Sequence, residues 1–368
     1  MATVAEGSAR ISVGSGVFYN PRMRALRDIS VLFLKAAGAK GRLLDSTSAT
    51  GIRGIRYAKE AGFSDIVSLD INAQAARNAS LNMRRNGLKL KCLNESVQGF
   101  CNGGDAGQFD VIDLDPFGTP VPHINDLLKV SRDKTLLMVT ATDTAVLCGA
   151  HSNACVKLYG SKPMHSELCK ESGIRILLNF VIRSAAQFNF GVEPLLSVSD
   201  MHYMRVFARL HAGAKEALES VKQCGFASFC GRCRSFSYAK GATPLLGAEC
   251  GDCGADTEAF GPMYLGPLYD KRITGRMTGM AGTMDGAGVL LSRINEELDM
   301  PFFYSIPRIT RTLRMSSVPM GNLIERLRDK GFSVSRTQFD KDGIKTDAGA
   351  KNVADAIRGL GYDQGSAH

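Results

Sequence analysis

Three carboxylates each close a short apolar run: Asp45 after Arg42-Leu43-Leu44, Asp70 after Ile66-Val67-Ser68-Leu69, and Asp115 after Val111-Ile112-Asp113-Leu114. The third is followed by Pro116-Phe117-Gly118, where proline and glycine stop a strand and turn the chain. That turn presents a carboxylate, nearby backbone carbonyls and an aromatic face at one edge. The set suits methylation of a nucleobase amine, whose lone pair is delocalised into the ring and is a poor nucleophile. A carboxylate accepting one N–H and a carbonyl accepting the other favour a pyramidal nitrogen and absorb its developing positive charge. Phe117 offers a face for an extruded base. A plain surface turn is the alternative.

Asp45 leads into Ser46-Thr47-Ser48-Ala49-Thr50-Gly51-Ile52-Arg53-Gly54. Small residues let a ligand approach the backbone, and the following helix N-terminus offers free N–H groups. Asp70 lies nineteen residues after Gly51, a place from which a carboxylate reaches ribose hydroxyls. The G-x-G-x-x-G spacing of a dinucleotide site is absent. S-adenosylmethionine has no pyrophosphate and does not need it.

Cys230-Gly-Arg-Cys233 and Cys250-Gly-Asp-Cys253 stand sixteen residues apart, the spacing of a four-thiolate zinc site. Gly231 and Gly251 are expected to permit the tight turns, with Arg232 and Arg234 either solvated or touching RNA. Four ligands fill the tetrahedron, so one structural zinc is expected; a redox pair or an iron–sulfur cluster is the alternative. Cys92, Cys101, Cys148, Cys155, Cys169 and Cys224 form no second ligand set and are expected to be small buried residues.

The elements that must position these groups alternate. Strands are predicted at 42–45, 66–70, 111–115 and 135–140, with helices over 52–61 and 73–86. This is the pattern of a doubly wound parallel sheet, which binds ligands beyond the carboxyl ends of its strands. A cysteine-rich insertion spans 226–255. The stretch Gly275 to Gly288 reads as a linker, and the chain is helical from Leu290 to a polar tail. Arg308, Arg311 and Arg314 fall along one side of a predicted helix. A second helix over 321–331, with Leu323, Ile324 and Leu327 inward, leads to a strand at 332–335, suggesting a winged-helix-like module. At 368 residues the chain is read as two domains, 1–262 and 263–368.

The net charge of +9 favours a polyanionic partner. It is concentrated at two places: ten Lys or Arg against four Asp or Glu in residues 1–60, and seven against two in residues 301–336. These are expected to be two edges of a nucleic-acid footprint. No apolar stretch reaches the roughly eighteen residues of a membrane span, and Met1 to Ser15 has neither a basic region nor an apolar signal core. A cytoplasmic protein without a membrane partner is expected, and no obligate protein partner is evident.

The chain resembles the archaeal and eukaryotic tRNA (guanine-26-N2)-dimethyltransferases across nearly its whole length. The resemblance is carried by Val17-Phe18-Tyr19-Asn20-Pro21-Arg22-Met23, Ser48 to Gly54, Asp113 to Gly118, Val139-Thr140-Ala141-Thr142-Asp143, Leu147-Cys148-Gly149-Ala150-His151, Gly261-Pro262, Leu265-Gly266-Pro267-Leu268 and Gly343-Ile344-Lys345-Thr346-Asp347. It implies a Rossmann-like class I methyltransferase sheet with a zinc-knuckle insertion, S-adenosylmethionine as donor and tRNA as partner. Carried over by position, Arg27, Arg53 and Asp70 contact S-adenosylmethionine, Glu95 and Ser96 lie beside its adenine, and Asp115 is catalytic. Phe18 and Phe117 wall the base pocket, and the basic C-terminal domain binds tRNA. The chain departs from the family pattern at Leu26, usually Asn; at Glu95-Ser96-Val97, usually Asp-Ala-Asn; and at Gln338, usually His. From the residues alone, amino-methylation of another nucleic acid and a zinc-containing RNA-binding protein without catalysis remain rivals.

Overall fold

The computed structural model describes residues 2–104, 106–200, 202–243, 246–282 and 286–365. A hairpin of β1 (Ala2–Glu6) and β2 (Ala9–Val13) precedes α1 (Arg24–Ala36). Then strand and helix alternate: β3 (Arg42–Asp45), α2 (Ile52–Ala61), β4 (Asp65–Asp70), α3 (Ala73–Arg85), β5 (Lys91–Asn94), α4 (Val97–Asn102), β6 (Phe109–Leu114), α5 (Val121–Lys129) and β7 (Ser131–Ala141). Helices α6 (Thr144–Leu147), α7 (Ser152–Tyr159) and α8 (Cys169–Ala186) lead to β8 (Phe190–Ser199) and β9 (Met204–Ala212).

Seven strands form one sheet in the order β5-β4-β3-β6-β7-β9-β8. Strands β5 to β7 run parallel, as the alternation predicted, and β9 and β8 complete the sheet antiparallel. Leu43, Leu44, Val67, Leu69, Val111 and Ile112 are buried, the continuous apolar pattern of strands covered on both faces. Helices α1, α2 and α10 pack together in one layer, and α4, α5 and α8 in another. The sequence reading missed β5, whose Lys91-Cys92-Leu93-Asn94 carries little apolar signal, and the β8–β9 pair.

After α9 (Ala214–Lys222), strands β10 (Cys224–Phe229), β11 (Phe236–Lys240) and β12 (Glu258–Tyr264) form a second sheet in the order β11-β10-β12, which carries the cysteine insertion. The linker expected over Gly275–Gly288 is overturned: it is largely taken up by α10 (Lys271–Ala281) and the start of α11 (Ala287–Glu296), with 283–285 outside the described residues. The Asp270 side chain caps α10 by accepting from Arg272 N and Ile273 N, and Ile273, Met277 and Ala281 bury a stripe at four-residue spacing.

The chain ends in β13 (Tyr304–Ser305), α12 (Ile306–Leu313), α13 (Met320–Asp329), β14 (Val334–Arg336), β15 (Gly343–Thr346) and α14 (Ala350–Gly365). Strands β13, β15 and β14 form an antiparallel sheet in that order beside α12 and α13, the expected winged-helix-like arrangement. Their core is separate from that of the large sheet and runs from Tyr304 to Leu360. The expected polar tail is instead mostly α14, whose Val353, Ala356 and Ile357 are buried. Leu323 and Leu327 point inward as expected, while Ile324 is only half-buried. Arg308, Arg311 and Arg314 are exposed, but Arg314 leaves the helical side because it is the left-handed C-cap of α12 (φ 56°). Gln338, where the resemblance implies a histidine, sits in a joint between the two cores: its Nε2 donates to Ser197 O (2.8 Å) and Tyr269 Oη (2.7 Å).

Candidate active site

Asp45, Asp70 and Asp115 meet at the carboxyl edge of the parallel sheet, but they do different work. Ser46 to Thr50 turn away from β3 with Ala49 and Gly51 at positive φ (47° and 75°). Gly51 is required there, because a Cβ would lie 3.1 Å from Ala79 Cβ and 3.2 Å from its Cα. Asp70 fixes this turn: Oδ2 accepts from Ala49 N (2.8 Å), and Oδ1 accepts from Asn72 N (2.8 Å). Asp115 follows β6 directly, and its backbone N–H donates to Thr47 Oγ1 (3.0 Å). The cofactor loop and the Asp-Pro-Phe turn are therefore stitched together.

Asp45 is fully buried. Desolvation and the charge of neighbouring Asp113 push its carboxyl up to about 8, so near neutral pH it is largely uncharged. Asp115 goes the other way: burial pushes it up, but the charges of Arg53 and Arg205 outweigh this and hold it below the usual carboxylate range. Arg53 Nε and Nη2 both donate to Asp115 Oδ2, at 2.9 and 2.6 Å.

A cavity of about 660 Å³ opens at this edge, lined among others by Phe18, Arg27, residues 46–50, Arg53, Asp70, Glu95, Ser96, Asp115 and Phe117. Every expected cofactor, base-pocket and catalytic residue thus faces one space. Phe18 and Phe117 stand edge to face with ring centroids 4.7 Å apart, and they are 47% and 74% exposed, so both rings are open to a base. Glu95 is exposed, whereas Ser96 Oγ caps α4 by accepting from Gly99 N (2.9 Å). The sequence reading missed Ile71, 77% exposed on the cavity wall beside Asp70, an apolar surface for a purine. Its signal was an apolar side chain directly after a strand-end carboxylate. His123 and His202 line the same space and were also missed.

The Ser48 hydroxyl is buried among the lining residues without a hydrogen-bond partner. An orphaned polar atom, a carboxylate at a strand end and an exposed apolar side chain fit a nucleoside-bearing methyl donor.

The basic N-terminal segment is less of an outer edge than expected, because Arg27, Arg53 and Arg56 are buried in ion pairs. Arg27 Nε and Nη2 donate to the two oxygens of Glu6, at 2.7 and 2.6 Å, so the hairpin carries a counter-ion to the cavity wall. Burial pushes the Glu6 carboxyl up, but the hydrogen bonds and charge of Arg27, with bonds from Tyr19 and Arg56, bring it down to about 2.

Cys230, Cys233, Cys250 and Cys253 converge with all four Sγ atoms within 4.8 Å of one another. Two of these separations are 3.6 Å (Cys230–Cys253) and 3.5 Å (Cys233–Cys250), close to the roughly 3.8 Å edge of a tetrahedron with 2.3 Å Zn–S bonds. The donor set fits zinc, and none of it lines the cavity of Asp115. The expected turn-makers are displaced: the left-handed residues are Arg234 (φ 67°) and Gly254 (φ 68°), not Gly231 and Gly251. Each follows its second cysteine and donates its N–H to the carbonyl of the first, Cys230 or Cys250, at 3.0 and 2.8 Å. Arg234 also pairs with Glu167 at 3.4 Å. Of the remaining cysteines Cys101, Cys155 and Cys224 are buried as expected, whereas Cys92, Cys148 and Cys169 are half-buried.

Residues 2–358 match the model of the family described as N2,N2-dimethylguanosine tRNA methyltransferase. Relatives named tRNA (guanine(26)-N(2))-dimethyltransferase include one from Methanothermobacter thermautotrophicus, 36% identical over 98% of this chain and 99% of its own. Another, from Thermococcus kodakarensis, is 38% identical over 98% of this chain and 100% of its own. Among solved structures, the complex of Trm1 from Pyrococcus horikoshii with S-adenosyl-L-methionine superposes with a TM-score of 0.89, at 32% identity over 97% of this chain and 99% of that one. The family model, the full-length relatives and the matching fold converge, and the chain belongs to the N2,N2-dimethylguanosine tRNA methyltransferase family.

Proposed function

We propose that this chain methylates the exocyclic N2 amine of guanine 26 in tRNA, twice, giving N2,N2-dimethylguanosine through the N2-methyl intermediate. The observation that carries the reading is Asp115, clamped on one oxygen by Arg53 and standing beside two exposed aromatic rings at a cavity fit for a nucleoside. Bound S-adenosylmethionine supplies an electrophilic methyl group, whose transfer forms the N–C bond, returns the C–S electron pair to sulfur and frees one proton from the amine.

The residues of the chain do the rest. Asp70, Glu95 and Ser96 hold the ribose and adenine of the donor, with Arg27 and Arg53 near its charged end. Phe18 and Phe117 form the aromatic wall against which the extruded guanine stacks. Asp115 accepts an N–H of the amine, stabilises the positive charge that develops on nitrogen and receives the proton. The carboxylate stays an acceptor because Arg53 and Arg205 keep it ionised despite burial.

Segment 263–368 is assigned to gripping tRNA, with Arg308, Arg311 and Arg314 on phosphates outside the modified nucleotide. The four cysteines hold one zinc, which pins the insertion between β10 and β12 and leaves no position for activating water. No helix among the described residues is long and apolar enough to cross a membrane, and we place the activity in the cytoplasm, where tRNA is the polyanion for a +9 chain.

The test is nucleoside mass spectrometry of an unmodified tRNA transcript treated with the full-length chain and labelled donor. N2-methyl- and N2,N2-dimethylguanosine at position 26 are expected, and substitution of that guanine should abolish both. Label in adenine, or in ribosomal RNA instead of tRNA, would overturn the reading.

A further inference from the structure

Beneath Asp115 lies a chain of buried charges from elements far apart in sequence. Arg205, on β9, donates from Nη2 to Asp113 Oδ1 (2.7 Å) and from Nη1 to Thr140 Oγ1 (2.5 Å). Asp113 Oδ2 accepts from Tyr57 Oη and lies 3.8 Å from Arg53 Nη1. The same Nη1 is 3.4 Å from both Ser30 Oγ and Tyr57 Oη. Every nitrogen of the Arg53 guanidinium is thereby engaged: Nε and Nη2 by Asp115, Nη1 by the interior.

We propose that Arg53 is the positioning residue of Asp115, backed by Arg205 through Asp113 and fixing the carboxylate as a hydrogen-bond acceptor at the base pocket. This rests on the reading of Asp115 as the catalytic carboxylate, and it adds to Arg53 a role beyond any contact with the donor.

Charge balance supports the assignment. Asp45, Asp113 and Asp115 face Arg53 and Arg205, three acids against two bases, but Asp45 is held up at about 8 and is largely neutral near pH 7. The remaining two acids and two bases then balance. Buried ion networks of this kind stabilise a fold no better than apolar packing of the same shape, so stability alone does not account for this one. Arg53 and Asp115 both line the cavity, and Asp115 is the more open of the two, its side chain 18% exposed while those of Arg53, Arg205 and Asp113 are nearly or fully buried. Two bonds from the guanidinium converge on Oδ2, fixing that oxygen and leaving Oδ1 outside the clamp. Without Arg53, burial would favour the protonated carboxyl, which offers the amine a donor where it needs an acceptor.

The experiment compares the full-length chain with Arg53→Gln and Arg53→Lys. It reads donor affinity by calorimetry, melting temperature, and single-turnover methyl transfer to tRNA at saturating donor from pH 5 to 9. The expected result is a fall in the saturated rate of about 10² in Arg53→Gln, with an acid limb moved up into the measured range. Arg53→Lys should show a smaller shift of the limb, because it keeps the charge and loses the fork. The proposal is overturned if either folded variant, at saturating donor, matches the parent rate and pH profile and differs only in donor affinity. A second readout needs no substrate: the Asp115 carboxyl carbon, followed by NMR, should titrate at higher pH in both variants, and an unmoved midpoint overturns the proposal. Failure of the unsubstituted chain to methylate tRNA would instead remove the functional reading, while this titration still decides whether Arg53 governs Asp115.

Discussion

Lys345 of β15 reaches Glu171 of α8 with Nζ 3.1 Å from Oε1, both side chains almost fully buried. The same Nζ lies 2.9 Å from Glu297 Oε1 and donates to Met300 O (2.8 Å), while Arg175 completes the neutralisation of Glu171 at 2.7 Å. One lysine of the C-terminal module thus satisfies carboxylates from the body that carries the large sheet. Lys345→Ala should destabilise the chain by about 3–5 kcal/mol, since it leaves the buried Glu297 without its cation, held only by hydrogen bonds from Thr337 and Gln338. Chemical denaturation checks this, and a loss under 1 kcal/mol would mean that the joint is held by its apolar contacts.

Removal of the Asp115 carboxylate tests the chemistry directly. Asp115→Ala should lower methyl transfer by roughly two to four orders of magnitude while leaving S-adenosylmethionine affinity within a few-fold. Near-parental turnover on tRNA would exclude it as the catalytic group.

Asp70 braces the cofactor loop through Ala49 N as well as facing the cavity. Asp70→Ala should raise the donor dissociation constant about tenfold or more, because a charged acceptor is worth about 1.5–3 kcal/mol. Calorimetry with S-adenosylmethionine reads this, and unchanged affinity excludes the ribose contact.

The thiol cluster separates structural from catalytic metal. One zinc per chain should be found by elemental analysis. Replacement of Cys250 and Cys253 by Ser should remove it and lower the melting temperature. Part of the activity should survive well below the new transition. A metal-free variant that stays folded yet transfers no methyl groups would give the cluster a role in chemistry or in holding tRNA.

The hairpin is expected to be acid-sensitive. Glu6 is held at about 2 against an ordinary 4.5, a depressed carboxyl. Its stabilising effect is therefore full above about 4.5 and is lost as pH falls toward 2. Amide protection factors across β1, β2 and the start of α2 should fall over that window. Glu6→Gln should show the lower protection at neutral pH already, and it should weaken donor binding if Arg27 holds the donor. A profile in Glu6→Gln identical to the parent would detach the hairpin from this ion pair.

The sequence determined what local chemistry dictates. Apolar runs ending in Asp45, Asp70 and Asp115 fix both the parallel strands and the edge at which they end, and two Cys-x-x-Cys pairs fix a four-sulfur cluster. A strand, a cap or a knuckle is decided within a few residues of itself. Even there, conformational detail escaped: the left-handed positions fell on Arg234 and Gly254 after each cysteine pair, where the backbone closes on the first cysteine's carbonyl. Helix α10 was hidden because Gly275 and Gly279 dilute a stripe that only packing against α1 completes. Tertiary structure alone decided the electrostatics. Arg205 lies 92 residues from Asp113 and Arg53 lies 62 from Asp115, so no spacing rule links them. Whether a buried carboxyl is neutral, as Asp45 is, or ionised, as Asp115 is, depends on which guanidinium the fold sets beside it, because desolvation acts on both and only the neighbouring charge tells them apart.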